Sequence, residues 1–178
     1  MGTCAIFAED NIRFLKQGLD LIQGLSDDAY TRSSHPEYTS GVGGHLRHCL
    51  DHYTNFLAGL PRGRIDYDAR QRDERIETDR AYATRVIQNL IRGLAEVQER
   101  DADKAVTIKM DGGDESDASL WWSHSSAVRE LQFLVSHTVH HYALIALILR
   151  TNGLAPAADF GVAPSTLRYN QSKLSCAR

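Results

Sequence analysis

The sequence predicts an all-α protein in which four long helices form a four-helix bundle. Apolar residues recur at intervals of three and four along four separate segments, which is the spacing of amphipathic helices. The chain has 178 residues without internal repeats or low-complexity stretches, so we expect a single domain over residues 1–178. Hydrophobic residues make up 42% of it and charged residues 24%, as in ordinary globular proteins.

The first two helices are predicted before and after a proline-containing loop. Residues 5–25 carry apolar side chains at helical spacing, and residues 31–40 are predicted to be a loop. A second helix over about residues 45–60 follows a glycine-rich stretch. One flank of its apolar stripe carries three histidines: His45, His48 and His52.

A connection of about 18 residues precedes the third helix, which is long enough to cross over the bundle. Residues 61–77 are crowded with charges of both signs, so we favour a solvated loop with weak ion pairs. The alternative is a rim whose arginines bind an anionic substrate. Thr78 is the expected cap of the third helix, with Asp79 in its first turn, and the helix extends to about Glu99.

A small extended excursion is predicted between the third and fourth helices. Residues 106–110 alternate like a strand, residues 111–114 form a turn signal, and residues 118–122 could return as a second strand. Trp121 and Trp122 are expected to cover one end of the bundle.

The fourth helix is predicted over residues 125–150, with Ser125 or Ser126 as its cap. Asn152-Gly153 is a usual helix stop, and residues 154–178 then form a tail packed on the bundle. This helix is apolar on more faces than one bundle partner can cover, which favours a homodimer.

His137 and His141 lie one helical turn apart on this helix, so both imidazoles could bind one metal ion. Glu130 lies seven residues before His137 on the same stripe. Hydrogen bonding of each histidine to a neighbouring carboxylate or carbonyl is the simpler alternative. His140 points about 100° away from His141 and is expected to lie off the site.

The three cysteines are widely spaced, which argues against a disulfide framework and against a cysteine zinc site. Cys4 and Cys176, near the termini, are expected to be exposed and inert. Cys49 is interpreted as a small core residue and not as a nucleophile.

Net charge and hydropathy exclude several classes of partner. The formal net charge of −3 gives no basic surface for nucleic acid or anionic membranes. The N-terminus lacks the apolar region of a signal peptide, and we expect no membrane span because no apolar run is long and uninterrupted enough. The sequence therefore predicts a cytoplasmic protein that acts on small molecules.

The glycine-rich stretch that leads into His-Leu-Arg-His-Cys-Leu-Asp, together with His-x-x-x-His on the fourth helix, resembles the DinB family of metal-binding helical bundles. Residues 76–79, 129–133 and 163–169 are similar to one bacterial branch of that family. The resemblance implies that His48, His137 and His141 bind a divalent metal, with Asp51 in the matching place after His48. The chain departs from the family pattern by lacking a Trp before the second-helix motif and by its extra histidines. His45 and His52 therefore stay open as substitutes for His48.

The resemblance also implies a class of reaction, because relatives include enzymes that use low-molecular-weight thiols. A three-histidine site leaves a coordination position open, as in catalytic zinc sites. We expect a metal-dependent transferase or isomerase that acts on a small electrophile with a thiol cosubstrate, with Glu130 orienting one imidazole. Zinc is the first choice of metal, with nickel or iron as alternatives. A metal-dependent hydrolase and a non-catalytic metal-binding or stress-response module are the competing functions.

Overall fold

The structure, a computed structural model, describes residues 2–32, 40–97, 101, 104–110 and 121–176. Within these ranges the protein is mostly helical with a small sheet, as the predicted fold class broadly requires. The helices are α1 (Thr3–Gly24), α2 (Asp27–Thr31), α3 (Val42–Gly59), α4 (Arg75–Thr78), α5 (Arg80–Ala95), α6 (Ala127–Thr151) and α7 (Pro164–Cys176).

The four long helices α1, α3, α5 and α6 match the four periodic segments of the sequence. α1 packs against α5 and α6, and α3 packs against the same two helices. Their inward-facing side chains join one hydrophobic cluster. The pairing of α3 with α6 brings together the two helices that carry the histidine motifs.

The sheet has three short strands in the order β1 (Arg64–Asp66), β2 (Ala105–Lys109), β3 (Trp122–Ser126). β1 is parallel to β2, and β2 is antiparallel to β3. The predicted strand over residues 106–110 is confirmed to within one residue. The predicted turn and residues 118–120 of the predicted return strand lie outside the described residues. The observed strand β3 begins at Trp122, the last residue of the predicted strand, and extends to Ser126.

The charged connection is more ordered than the predicted solvated loop, and that prediction was wrong. It contains a 3-10 turn at Leu60–Arg62, strand β1 and helix α4. Ile65 and Tyr67 are 0% and 1% exposed, because they alternate with polar residues and turn inward. The prediction rested on the many charges of residues 61–77 and so missed this alternation of apolar and polar residues. A Cβ at Gly43 would collide with the backbone of Glu77, so the glycine allows α4 to approach α3 closely.

The helix ends follow from local hydrogen bonding, with one correction. Asp79, and not Thr78, caps α5: its side chain accepts a hydrogen bond from the Tyr82 backbone N–H at 2.8 Å. Thr78 lies inside α4, where its hydroxyl donates to the carbonyl of Glu74. Ser126 caps α6 as predicted.

The end of α6 at Asn152-Gly153 is also confirmed. Gly153 adopts a φ of 78°, and the Leu154 N–H donates to the carbonyl of Leu149 at 2.8 Å. This is the 6→1 bond that closes a helix after a left-handed glycine.

A buried polar network fixes the relative heights of three helices. The Tyr53 hydroxyl on α3 is within hydrogen-bond distance of Asn11 Oδ1 on α1 and Thr138 Oγ1 on α6, at 2.8 and 2.9 Å. Asn11 in turn donates from Nδ2 to the carbonyl of Leu131 at 2.9 Å. Such a buried network favours one register of the helices. Because His137 directly precedes Thr138 on α6, this register also sets the position of His137 along the axis of α3.

The two cysteines with described side chains are both buried. Cys49 is 1% exposed within the core, as predicted. Cys4 is 0% exposed, so its predicted exposure was wrong. The reason is that α1 begins at Thr3 and carries Cys4 and Ala8 on its buried face. The side chain of Cys176 lies outside the described residues.

The tail contacts the helices through one short segment. Phe160 is buried and stacks on Tyr142 with ring centroids 4.6 Å apart. Gly161 has a φ of 69°, and a Cβ there would lie 2.8 Å from the Tyr142 Cβ. α7 follows this anchor, and Tyr169 on it is 58% exposed. The expected packing of the tail is therefore concentrated at residues 160–161.

Within the described residues, α6 is long and apolar enough to cross a membrane by length and composition alone. The sequence-based statement that no run qualified was therefore too strict. Core helices of soluble proteins meet the same criterion, and α6 packs against α1 and α3 and carries the buried Glu130.

Candidate metal centre

Five histidines meet where α3 packs on α6. α3 supplies His45, His48 and His52, whose spacing of three and four residues places them along one flank. α6 supplies His137 and His141 from the facing side. The structure therefore brings together all three predicted ligands and both predicted substitutes. His140 is exposed, and its ring centroid lies 5.0 Å from that of His141.

Two pairs of ring nitrogens link the helices directly. His48 Nε2 lies 3.1 Å from His137 Nε2, and His45 Nδ1 lies 3.0 Å from His141 Nδ1. The possible ligand atoms of His48, His52 and His137 all lie within 4.8 Å of one another. His52 is therefore a stronger candidate than the sequence indicated.

His141 remains close to this group. Its ring centroid is 4.5 Å from that of His48 and 4.6 Å from that of His137. Its Nδ1 atom, however, faces His45. The two histidines common to both possible triads are His48 and His137.

The ring of His52 is oriented by its own helix and by an aromatic neighbour. Its Nδ1–H donates to the backbone carbonyl of His48 at 2.8 Å, which places the lone pair on Nε2. Tyr67, which follows β1, stacks on the ring with centroids 5.4 Å apart. Phe133 packs beside both Tyr67 and His137, so one side of the cluster has an aromatic wall.

Arg70 approaches the cluster from the segment after β1. Its Nη1 donates a hydrogen bond to His48 Nδ1 at 3.0 Å. No pattern in the sequence distinguishes this arginine from the others of residues 61–77. The other arginine beside the site, Arg47, forms ion pairs with Asp51, at 3.2 Å, and with Glu77.

Glu130 does not have the contacts predicted for it. Its side chain is 0% exposed and is contacted by the Tyr67 hydroxyl at 3.0 Å, by Arg129 at 2.9 Å and by the Ser125 hydroxyl. Among the described hydrogen bonds of Glu130, none joins it to a histidine. Its seven-residue spacing from His137 places it two helical turns away, where it holds β1 and β3 against α6.

Burial lowers the pKa of four histidines of the cluster and so keeps their rings neutral. It lowers the pKa of His48 to about 3, that of His137 to about 2 and that of His141 to about 4, with neighbouring histidines as further causes. Burial also lowers the pKa of His45. Neutral imidazoles are the form that binds metals, so the cluster needs no deprotonation before coordination.

These shifts predict a loss of stability in mild acid. The ordinary histidine pKa is 6.5, so below that pH the unfolded chain binds protons that the folded protein does not. The free energy of unfolding therefore falls as the pH decreases from about 6.5 towards 4. We expect the Tm of metal-free protein to be nearly constant above pH 7 and to fall by several degrees by pH 5. A Tm that stays level or rises over this interval in scanning calorimetry would contradict the neutral cluster.

A cavity of about 440 Å³ lies on the other side of Asp51. Its lining includes Asn55, Arg62 and Asp66, but none of the five histidines. It is therefore adjacent to the candidate centre without being part of it.

Two comparisons relate this chain to known proteins. A family model described as the DinB superfamily matches residues 16–145. FK506-binding protein 5 of Rhizopus delemar is 33% identical over 105 residues, which are 59% of this chain and 27% of that protein. The chain thus spans about a quarter of the length of that curated relative. No solved structure matches this chain significantly. Because the family match covers more than half of the chain, the protein belongs to the DinB superfamily, whose members bind metals.

Proposed function

We propose that this protein is a metal-dependent transferase or isomerase that acts on a small electrophile with a low-molecular-weight thiol as cosubstrate. The observation that carries the proposal is the all-histidine group between α3 and α6, whose possible ligand atoms converge within 4.8 Å. Neutral ligands leave the charge of a divalent ion uncompensated, which favours an anionic thiolate as an additional ligand.

The geometry of the histidines fits a metal. Two nitrogens bound tetrahedrally to zinc at about 2.0–2.1 Å lie about 3.3 Å apart. The 3.1 Å between His48 Nε2 and His137 Nε2 is close to this value without any movement of the helices. His137 Nδ1 is buried without a hydrogen-bond partner among the described residues, so Nε2, which faces His48, is the nitrogen of this ring available to a metal.

We assign His48 and His137 as ligands, with either His141 or His52 as the third. His141 is supported by the family pattern, and His52 by the convergence of its ligand atom. Zinc is the proposed ion, with nickel or iron as alternatives, because imidazole suits all three. A bound divalent ion would lower the pKa of a thiol and so supply a thiolate near neutral pH.

The residues around the site argue against nucleophilic catalysis by a protein cysteine and against hydrolysis. Cys49 is buried and burial raises the pKa of its thiol, so it cannot serve as a nucleophile. Hydrolysis needs a general base beside the ion, and the Glu130 carboxylate is held by Tyr67 and Ser125 instead. The hydrolase is therefore the weaker candidate.

A non-catalytic metal-binding module is the second candidate. Five histidines, two more than an open site needs, could supply a fourth protein ligand and close the coordination sphere. Four-coordinate metal without an exchangeable position would favour this function.

The assembly and setting of the protein are part of the same proposal. We propose that the four long helices form a DinB-type four-helix bundle and that the protein is a cytoplasmic homodimer without nucleic-acid or membrane partners. The proposed dimer would cover Leu147 on α6, which is 58% exposed in the single chain.

Cobalt-substituted protein provides the test of the reaction class. Titration with glutathione, mycothiol or bacillithiol should produce a thiolate-to-cobalt charge-transfer band, and the matching alcohol analogue should not. If no thiol perturbs the cobalt spectrum while ester or amide hydrolysis is measurable, the transferase proposal is wrong. If neither effect occurs, the binding module is the better account.

A further inference from the structure

The contact between Arg70 and His48 fixes the proton of the His48 ring. A guanidinium has five N–H donors and no acceptor. Since Arg70 Nη1 lies 3.0 Å from His48 Nδ1, the ring nitrogen must accept the hydrogen bond. A neutral His48 ring that accepts at Nδ1 carries its proton on Nε2.

The same reasoning extends to His137. His48 Nε2–H then donates to His137 Nε2, 3.1 Å away, which leaves the proton of His137 on Nδ1. That Nδ1 atom is buried and has no hydrogen-bond partner among the described residues. The direction of the hydrogen bonds that Arg70 imposes therefore leaves His137 Nδ1–H as a donor without an acceptor among the described residues.

This arrangement conflicts with coordination by His48. A neutral histidine ligand binds the metal through one nitrogen and donates its other N–H to an acceptor. Arg70 offers no acceptor to His48 Nδ1, and it keeps a proton on the nitrogen that faces His137. We propose that Arg70 is a positioning residue that withholds His48 from the metal, so that the Arg70–His48 hydrogen bond and the His48–metal bond exclude each other.

Few of the described contacts hold the Arg70 side chain beside His48, so it can move away when a metal binds. It forms none of the ion pairs found among the described residues, and its Nε atom is buried without a hydrogen-bond partner. Arg47, in contrast, is held by Asp51 and Glu77 and cannot take its place. Withdrawal of Arg70 therefore breaks one hydrogen bond to a side chain and exposes its guanidinium to solvent. The inference rests on the proposed metal site but not on the proposed reaction.

A double-mutant cycle on zinc affinity tests this role. Arg70→Gln removes the competing donor and introduces an amide oxygen that can accept from His48 Nδ1–H. We expect Arg70→Gln to bind zinc about tenfold more tightly than the wild type, within the range that outer-shell partners contribute. His48→Ala should still bind zinc weakly through the remaining histidines, so its affinity is measured by direct titration without a competing chelator. Adding Arg70→Gln in this background should change that affinity by less than twofold, because the effect of Arg70 passes through His48.

Two control variants separate the hydrogen bond from charge. Arg62→Gln removes the same charge from an exposed position and should leave the affinity within twofold of the wild type. Arg70→Lys keeps a cation with donors only and should bind zinc no more tightly than the wild type. Equal affinities of Arg70→Gln and wild type, or a gain that persists without His48, would overturn the inference.

Nitrogen-15 spectra of the histidine rings give a readout independent of affinity. In metal-free wild type, His48 should be the tautomer protonated on Nε2, and it should change in Arg70→Gln. A wild-type His48 protonated on Nδ1 would also overturn the inference. Absence of zinc binding in every variant would end both this inference and the proposed function, whereas absence of the thiol band would affect the reaction alone.

Discussion

His137→Ala is expected to abolish stoichiometric binding of a divalent metal. His137 belongs to both possible triads and lies closest to His48, at 3.1 Å between Nε2 atoms. Losing a direct ligand should weaken binding by more than the roughly 10–100-fold that loss of an outer-shell partner costs. The measurement is a competition titration against a chelator of known affinity, combined with metal analysis of the purified variant.

His140→Ala is the matched control for this variant. His140 lies on the same helix but is exposed, so its removal should leave affinity and stoichiometry unchanged. The same titration on His52→Ala and His141→Ala identifies the third ligand, since only loss of the true ligand should lower the stoichiometry. Full metal occupancy in His137→Ala would remove the assignment of α6 to the site.

Glu130→Ala is expected to lower the free energy of unfolding by about 2–4 kcal/mol, because the buried hydroxyl of Tyr67 and the half-buried hydroxyl of Ser125 lose their acceptor. Burial, with the carboxylate as a further cause, raises the pKa of Tyr67 well above its ordinary value, so its hydroxyl stays a donor. Zinc affinity should stay within twofold of the wild type, since Glu130 holds strands and not a ligand. Urea unfolding and the zinc titration measure the two effects.

Glu130→Gln separates the two roles of this side chain. Glutamine keeps an acceptor oxygen, so it should recover most of the lost stability. A tenfold loss of zinc affinity in Glu130→Ala, without a change in stability, would instead restore Glu130 as the residue that orients an imidazole.

The long helices were predictable because their burial depends on local periodicity. Apolar spacing located α1, α3, α5 and α6, and the Asn152-Gly153 stop ended α6 correctly. Strand β1 was missed because a three-residue strand has almost no periodic signal and its partner β2 lies about 40 residues later in sequence. The cap at Asp79 was missed because residues 61–77 were predicted as a loop, whereas Thr78 is taken up by α4, which ends directly before α5.

The candidate site was predictable only as far as helical spacing reaches. The separation of His137 and His141 by one turn placed both on one face, and the flank of α3 placed His45, His48 and His52 together. The rotation of α3 against α6 decides which of these nitrogens converge, and no residue pattern encodes it.

The contacts of Arg70 and Glu130 also could not be predicted from helical spacing. Their partners depend on β1, which carries Tyr67 to Glu130 and leads the chain back to His48. A contact that follows from an unrecognised strand could not be read from spacing along a helix.

Metal analysis of protein purified without an affinity tag tests the central claim most directly. The account predicts one divalent ion per chain, bound mainly through histidine nitrogen at about 2.0–2.1 Å in X-ray absorption spectra. It also predicts at least one ligand that is not from the protein. Protein that binds no divalent metal at micromolar concentration, although folded and with all five histidines intact, would contradict it.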